Sequence, residues 1–189
     1  MGNQLSNFKI TSLNLDGLKL IQRNKIVDHR GFLSKIFCKD TLRSAGWRDP
    51  ICQINHTSTS RKGSVRGFHY QNYPYSEMKL VSCIRGKVLD IAIDLREGSQ
   101  TFLKWHAEIL SDENNSALLI PEGFAHGFQA LEDNCELLYL HSKEYKSAAE
   151  GGIRYNDPKL NITWPLEVVE VSDRDNNHPL LTKIFLGIK

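Results

Sequence analysis

The sequence predicts an all-β fold, a jelly-roll β-barrel with a few short peripheral helices. Between about residues 8 and 165, short apolar segments alternate with turn residues, the rhythm of a sandwich or barrel. Residues 87–96 have a strict period of two, with Leu89, Ile91, Ile93 and Leu95 on one face and Val88, Asp90, Ala92 and Asp94 on the other. No heptad run, internal repeat or low-complexity linker interrupts the pattern, and 189 residues suit one domain spanning 1–189.

Taken in order, strands are expected at 18–26, 31–38, 51–58, 64–70, 80–84, 87–96, 101–110, 117–120, 125–130 and 135–141. Arg85-Gly86-Lys87 reads as a hairpin turn, which makes 80–84 the expected partner of 87–96. Short helices are expected at 39–45 and near the C-terminus. So many strands must close on themselves or pack as two sheets to hide their edges, and a jelly roll that does so encloses a cavity. The polar stretch 172–177 is a loop placed to cover its mouth.

Composition narrows the function classes. A net charge of +2 is too small for an extended nucleic-acid surface, although a local basic pocket can still hold a phosphate. No segment approaches the roughly 18 apolar residues of a membrane span, and the N-terminus lacks a basic segment followed by an apolar core, so a cytoplasmic protein is expected. Cys38, Cys52, Cys83 and Cys135 have no metal-ligand spacing and read as reduced packing residues. The Asn-x-Ser/Thr sites at Asn55, Asn114 and Asn161 matter only in a secretory setting, and the loose acylation pattern at 1–6 would anchor weakly.

Two histidines sit on expected strands: His69 in RGFHYQ and His126 in IPEGFAHGF. A histidine exchanges protons near neutral pH and an arginine holds phosphate, so Arg66 and His69 suggest a site for an anionic substrate. Strand alternation puts Arg66 on the face opposite His69 unless Gly67 marks a bulge that re-aims it. Two strand histidines also raise a metal site, but Gln71 stands where a second ligand would be wanted and is a poor one, which argues against a metal cofactor. Tyr139, Tyr145 and Tyr155 can donate protons, stack on a base or simply pack. Asp173 and Asp175 can orient a histidine or cap a helix.

Together the motifs RGFHYQ, KLVSCIRGKVLDIAIDLR, TFLKW, IPEGFAHGF, the 139–145 segment, NDPKLNITWP and SDRDNNHP resemble, in order and over nearly the whole chain, the dTDP-4-dehydrorhamnose 3,5-epimerase family. The resemblance implies a cupin-type jelly roll, no metal or other cofactor, and a homodimer in which strands are shared. It implies a nucleotide-diphosphate 4-keto-6-deoxy sugar as substrate, inverted at carbon 3, carbon 5 or both, with no nucleic-acid or membrane partner. By position, His69 resembles the base and Asp175 the carboxylate that holds it. Tyr139 resembles the proton donor, and Lys79 the lysine beside the keto oxygen. Arg30 and Arg66 resemble arginines that bind phosphate and nucleotide. Gln53, Asn55, His126, Glu150 and Arg174 fall at substrate-contact positions, and Tyr145 resembles the aromatic that stacks on the base.

This chain departs from the family at Lys35, where a glutamate is usual, and at Ile54, where an aspartate is common. Both belong to the nucleotide-contacting part, and they imply a changed base preference, with cytidine the rival of thymidine. Two other readings compete with the epimerase. A nucleotide-sugar 3,4-ketoisomerase would lack the Tyr139 and Asp175 matches, and a non-catalytic sugar-binding cupin would have no reason to keep His69, Lys79, Tyr139 and Asp175 together.

Overall fold

The computed structural model describes residues 8–189. The acylation pattern at 1–6 lies outside them.

Among these residues there are thirteen strands, two short α-helices and a single 3-10 turn at Ser147–Ala149. The strands are β1 (Lys9–Ser12), β2 (Lys19–Gln22), β3 (Lys25–Asp28), β4 (Gly31–Ser34), β5 (Gln53–Thr59), β6 (Val65–Gln71), β7 (Lys79–Arg85), β8 (Lys87–Asp94), β9 (Trp105–Ser111), β10 (Ser116–Ile120), β11 (Phe124–Ala130), β12 (Cys135–His141) and β13 (Glu150–Gly152). The helices are α1 (Lys39–Ser44) and α2 (Asp173–Asn176). One antiparallel sheet runs β1-β2-β10-β7-β12-β5, the other β13-β6-β11-β8-β9, and β3 and β4 form a separate ribbon. The result is a jelly-roll sandwich of two sheets rather than a closed barrel.

Alternation explains the layering. Val81, Cys83, Leu118 and Leu137 of the six-stranded sheet meet Val88, Ala92, Phe124 and Phe128 of the five-stranded sheet in the central core. The opposite faces are not solvated. Leu80, Leu119 and Leu140 pack under Leu42 and Trp47 of the α1 region, while Ile91, Ile93 and Leu95 pack under Ile153, Leu160 and Trp164 of the C-terminal chain. The apolar side of 87–96 therefore faces outward onto a second core, and its Asp90 side faces the sandwich interior. With each fully buried aliphatic side chain contributing about 1.5–3 kcal/mol, three such layers hold the two sheets rigidly around whatever lies between them.

Several sequence expectations are corrected. The strands flanking Arg85-Gly86-Lys87 do not pair: β7 lies between β10 and β12, and β8 between β11 and β9. Gly86, at φ +76°, turns the chain from one sheet to the other, and a Cβ there would meet Cys135 Sγ at 3.0 Å. A local hairpin signal cannot distinguish this corner from a tight turn. Among the cysteines, Cys83 and Cys135 are buried, whereas Cys38 is half-buried and Cys52 exposed, so only the first two are core residues. The single expected strand 18–26 is two strands broken at Arg23-Asn24, because β2 joins the large sheet and β3 leaves it for the ribbon. The polar stretch 172–177 contains α2, whose N-cap Ser172 accepts the Asp175 N–H.

Candidate active site

A cavity of about 270 Å³ opens between the two sheets at one end of the sandwich. Its walls follow from strand register, since directly paired residues share a face. In the six-stranded sheet, His141 of β12 lies between Gln53 of β5 and Lys79 of β7, and one row along Tyr139 lies beside Asn55. In the five-stranded sheet, His69 of β6 pairs with His126 of β11, and Asp90 of β8 lies across from Phe128.

The position of Arg66 is settled by a bulge. His126 pairs with His69 but Phe128 pairs with Arg66, so β6 carries one extra residue against Gly127. Gly67 sits there at φ +118°, and a Cβ on it would come within 2.6 Å of Gly127 Cα. The bulge brings Arg66 to the same cavity as His69, where its Nε donates to Thr59 Oγ1 at 3.0 Å and its Nη2 to the Ser58 carbonyl at 2.9 Å.

His69 Nε2 lies 2.8 Å from Asp175 Oδ1, and Asp175 Oδ2 accepts the Gly67 N–H at 3.0 Å. Burial alone would raise the Asp175 pKa, but the bonds from His69 and Gly67, with the charges of His69 and Arg174, outweigh it and hold the carboxyl well below the usual range. A carboxylate fixed in this way orients the ring through Nε2, leaving Nδ1 without a protein partner among the described residues. Arg174 spans the mouth, donating to Glu150 Oε1 at 3.0 Å and lying 3.1 Å from His69 Nε2.

Lys79, buried on the opposite wall, donates to the His69 carbonyl at 3.3 Å and pairs with Glu77 at 3.3 Å. Burial, reinforced by the nearby negative charge of Asp90, raises the pKa of Tyr139, so its phenol stays protonated and is available as a proton source. Tyr139 meets the His126 ring edge-on, with centroids 5.7 Å apart. His126 Nε2 is bound to Asp90 at 2.8 Å. At the rim, Tyr145 donates its hydroxyl to Glu150 at 2.9 Å and its backbone N–H to Gln53 at 3.0 Å, and Gln53 in turn donates to Asn55 at 2.9 Å.

The cavity thus gathers Asn55, Arg66, His69, Lys79, His126, Tyr139, Tyr145, Glu150 and Arg174, with Asp175 behind His69 and Gln53 bracing the rim. Arg30 is not among them within the single chain. It sits at the turn of the β3–β4 ribbon, which pairs with neither sheet, and its guanidinium binds Asp28 in solvent. Lys35 and Ile54 do not line the cavity of their own chain either, and Ile54 is 59% exposed. Asp90, Glu77, His141 and His178 are polar residues of the site that sequence reading missed. Asp90 left a signal, as an acid in the middle of an apolar strand. Glu77 and His141 left none, being 64 positions apart.

His69, Asp175 and His178 bring three possible metal-ligand atoms within 4.8 Å of one another. The Arg174 guanidinium beside His69 Nε2 puts a fixed positive charge and a hydrogen-bond donor where a cation would approach. Gln71, the suspected ligand position, is engaged by backbone: it donates to the Tyr75 and Glu144 carbonyls and accepts the Lys146 N–H. Its task is to hold the 144–146 segment against β6.

A family model described as dTDP-4-dehydrorhamnose 3,5-epimerase matches residues 12–183. The dTDP-4-dehydrorhamnose 3,5-epimerase of Shigella flexneri is 44% identical over 151 residues, covering 79% of this chain and 83% of that one. Among solved structures, dTDP-6-deoxy-D-glucose-3,5-epimerase of Legionella pneumophila, in complex with dTDP-4-keto-L-rhamnose, superposes with a TM-score of 0.90 at 38% identity, covering 97% of this chain and 99% of that one. A 3'-monoepimerase of Streptomyces bikiniensis, in complex with dTDP-quinovose, superposes with a TM-score of 0.84 at 34% identity, covering 89% and 85%.

Proposed function

Because the chain belongs to the dTDP-4-dehydrorhamnose 3,5-epimerase family, we propose that it epimerises a dTDP-linked 4-keto-6-deoxy hexose by proton abstraction and return, without a metal. The observation that carries this reading is the convergence of a carboxylate-held histidine, a buried lysine and a protonated tyrosine on one cavity. A proton on carbon beside a ketone is removed only if the charge that spreads onto the carbonyl oxygen is supported. Lys79, in a pocket of low dielectric, supports that oxygen more strongly in the enolate than in the ketone, which is the difference that lowers a barrier. His69 removes the proton through Nδ1 while Asp175 stabilises the imidazolium that forms. Inversion needs a proton from the other face of the sugar, and Tyr139, held on the facing sheet, supplies it. Arg66 and Arg174 hold the diphosphate, Tyr145 stacks on the base, and Gln53, Asn55, His126 and Glu150 complete the contacts.

We further propose a homodimer working in the cytoplasm. Among the described residues no helix is long and apolar enough to cross a membrane. The ribbon of β3 and β4 exposes Val27, Phe32 and Leu33 at 72%, 62% and 58%, an apolar arm suited to lie on a second copy. That arm carries Arg30 and Lys35 away from their own pocket and toward a neighbour's, where Lys35 would bear on the choice of base.

The chemistry is tested by treating the product with borohydride and identifying the released sugars. Conversion at both carbons gives L-rhamnose and 6-deoxy-L-talose, and inversion at carbon 3 alone gives 6-deoxy-D-allose and 6-deoxy-D-gulose. Recovery of only 6-deoxyglucose and fucose would refute the proposal.

A further inference from the structure

Besides His69–Asp175 and His126–Asp90, the cavity holds a third histidine–carboxylate pair with no part in the mechanism above. His141 Nδ1 lies 2.9 Å from Glu77 Oε2, and the other oxygen of Glu77 lies 3.3 Å from Lys79 Nζ. One buried carboxylate therefore links the lysine to a histidine that is its direct cross-strand neighbour. Glu77, Lys79 and His141 are each less than one-tenth exposed, and all three line the cavity.

The far nitrogen of His141 is the informative atom. Nε2 is buried and has no hydrogen-bond partner among the described residues, an arrangement that costs about 1–3 kcal/mol unless something else supplies a partner. Glu77 stays ionised because the bond from His141 and the charge of Lys79 outweigh the burial that would raise its pKa. An ionised carboxylate only accepts, so the uncharged ring carries its hydrogen on Nδ1 and offers Nε2 as a bare acceptor. The Lys79 ammonium already balances the Glu77 charge. The stack of His141 on Tyr139, with centroids 6.0 Å apart and planes 18° from parallel, fixes the direction of that lone pair.

A bare acceptor beside the lysine calls for a hydroxyl on the ligand. We infer that His141 Nε2 accepts a hydrogen bond from the sugar hydroxyl on the carbon next to the keto carbon, which makes His141 a specificity-determining residue. This rests on the reading that Lys79 holds the keto oxygen, since Lys79 and His141 stand side by side and so do the keto and 3-hydroxyl oxygens of such a sugar. Glu77 is then a positioning residue that sets the tautomer of one neighbour and the place of the other.

The test compares deuterium exchange at carbon 5 in the dTDP-linked 4-keto-6-deoxy sugar and in its 3-deoxy counterpart, for the wild type and for His141→Phe, which keeps the stack on Tyr139. The ratio of kcat/KM for the hydroxylated over the deoxy sugar is expected to fall about tenfold in the variant, the worth of one hydrogen bond. In the unaltered protein, the 15N resonance of His141 Nε2 should be that of a bare ring nitrogen. It should move on adding the sugar nucleotide and stay in place with dTDP alone. An unchanged ratio, or a resonance that ignores the sugar, would overturn the inference. Wild-type protein that exchanges neither sugar would instead overturn the epimerase reading, while the 15N shift would still decide whether His141 meets a sugar hydroxyl.

Discussion

At the scale of single residues, the two faces of the sugar depend on two different groups. Asp175→Asn keeps the shape of its partner's contact but removes the charge that favours an imidazolium, so kcat should fall by ~10²–10⁴-fold with little change in thermal stability. Tyr139→Phe should part the steps: solvent deuterium still enters the sugar, yet inverted product becomes scarce. Equal loss of both, followed by NMR, would mean that the phenol acts before proton removal. His69, Tyr139 and Lys79 were legible because their motifs resemble a family. Physical reading alone left His69 as either a packed strand histidine or a base. Arg66 was legible only conditionally, since alternation placed it on the wrong face and only the bulge at Gly67 brought it round. Glu77 and His141 were invisible because a pair 64 positions apart becomes a pair only when β7 and β12 align.

At the scale of elements, catalytic geometry depends on the crossing of β6 and β11. A Cβ on Gly127 would meet the Arg66 carbonyl at 2.7 Å and the Phe68 ring at 2.7 Å. Gly127→Ala must therefore push β6 away and carry both Arg66 and His69 with it. We expect a loss of about 1–3 kcal/mol in stability by urea titration and a disproportionate loss of exchange activity, because a small displacement of a base is severe. The end of β8 provides an acid-sensitive anchor. Asp94 is fully buried; burial would raise its pKa, but bonds from Arg96, Ser99 and Thr101 outweigh that and hold it to about 2. A depressed folded pKa adds stability above the ordinary value of 3.8 and loses it as pH falls toward 2. The urea midpoint should drop across that window, and Asp94→Asn should flatten the drop. Strand positions were readable from the period-two pattern at β8 and from apolar segments between turn residues at β11 and β12. Partners were not, because β7 and β8 are adjacent in sequence yet lie in opposite sheets.

At the scale of the whole molecule, the sandwich leaves one element unexplained by its own packing, the exposed β3–β4 ribbon. If that ribbon lies on a second copy, the protein sediments as a dimer, and Val27→Asp with Phe32→Glu yields monomers that bind dTDP more weakly, since Arg30 then reaches no pocket. Calorimetry on dimer and monomer fractions checks this. Neither expected role of Arg30 nor that of Lys35 could be assigned from one chain's alternation, because both belong to an arm that leaves its own sheets. The claim beneath all of this is that carbon-bound protons beside the ketone exchange with solvent and return from the other face. The most direct measurement is to incubate the protein with dTDP-4-keto-6-deoxyglucose in deuterated water and follow carbons 3 and 5 by NMR, with His69→Ala in parallel. Deuterium is expected at one or both carbons, with inverted configuration at each carbon labelled, and none with the variant. Migration of the carbonyl to carbon 3, or label entering equally without His69, would contradict the claim.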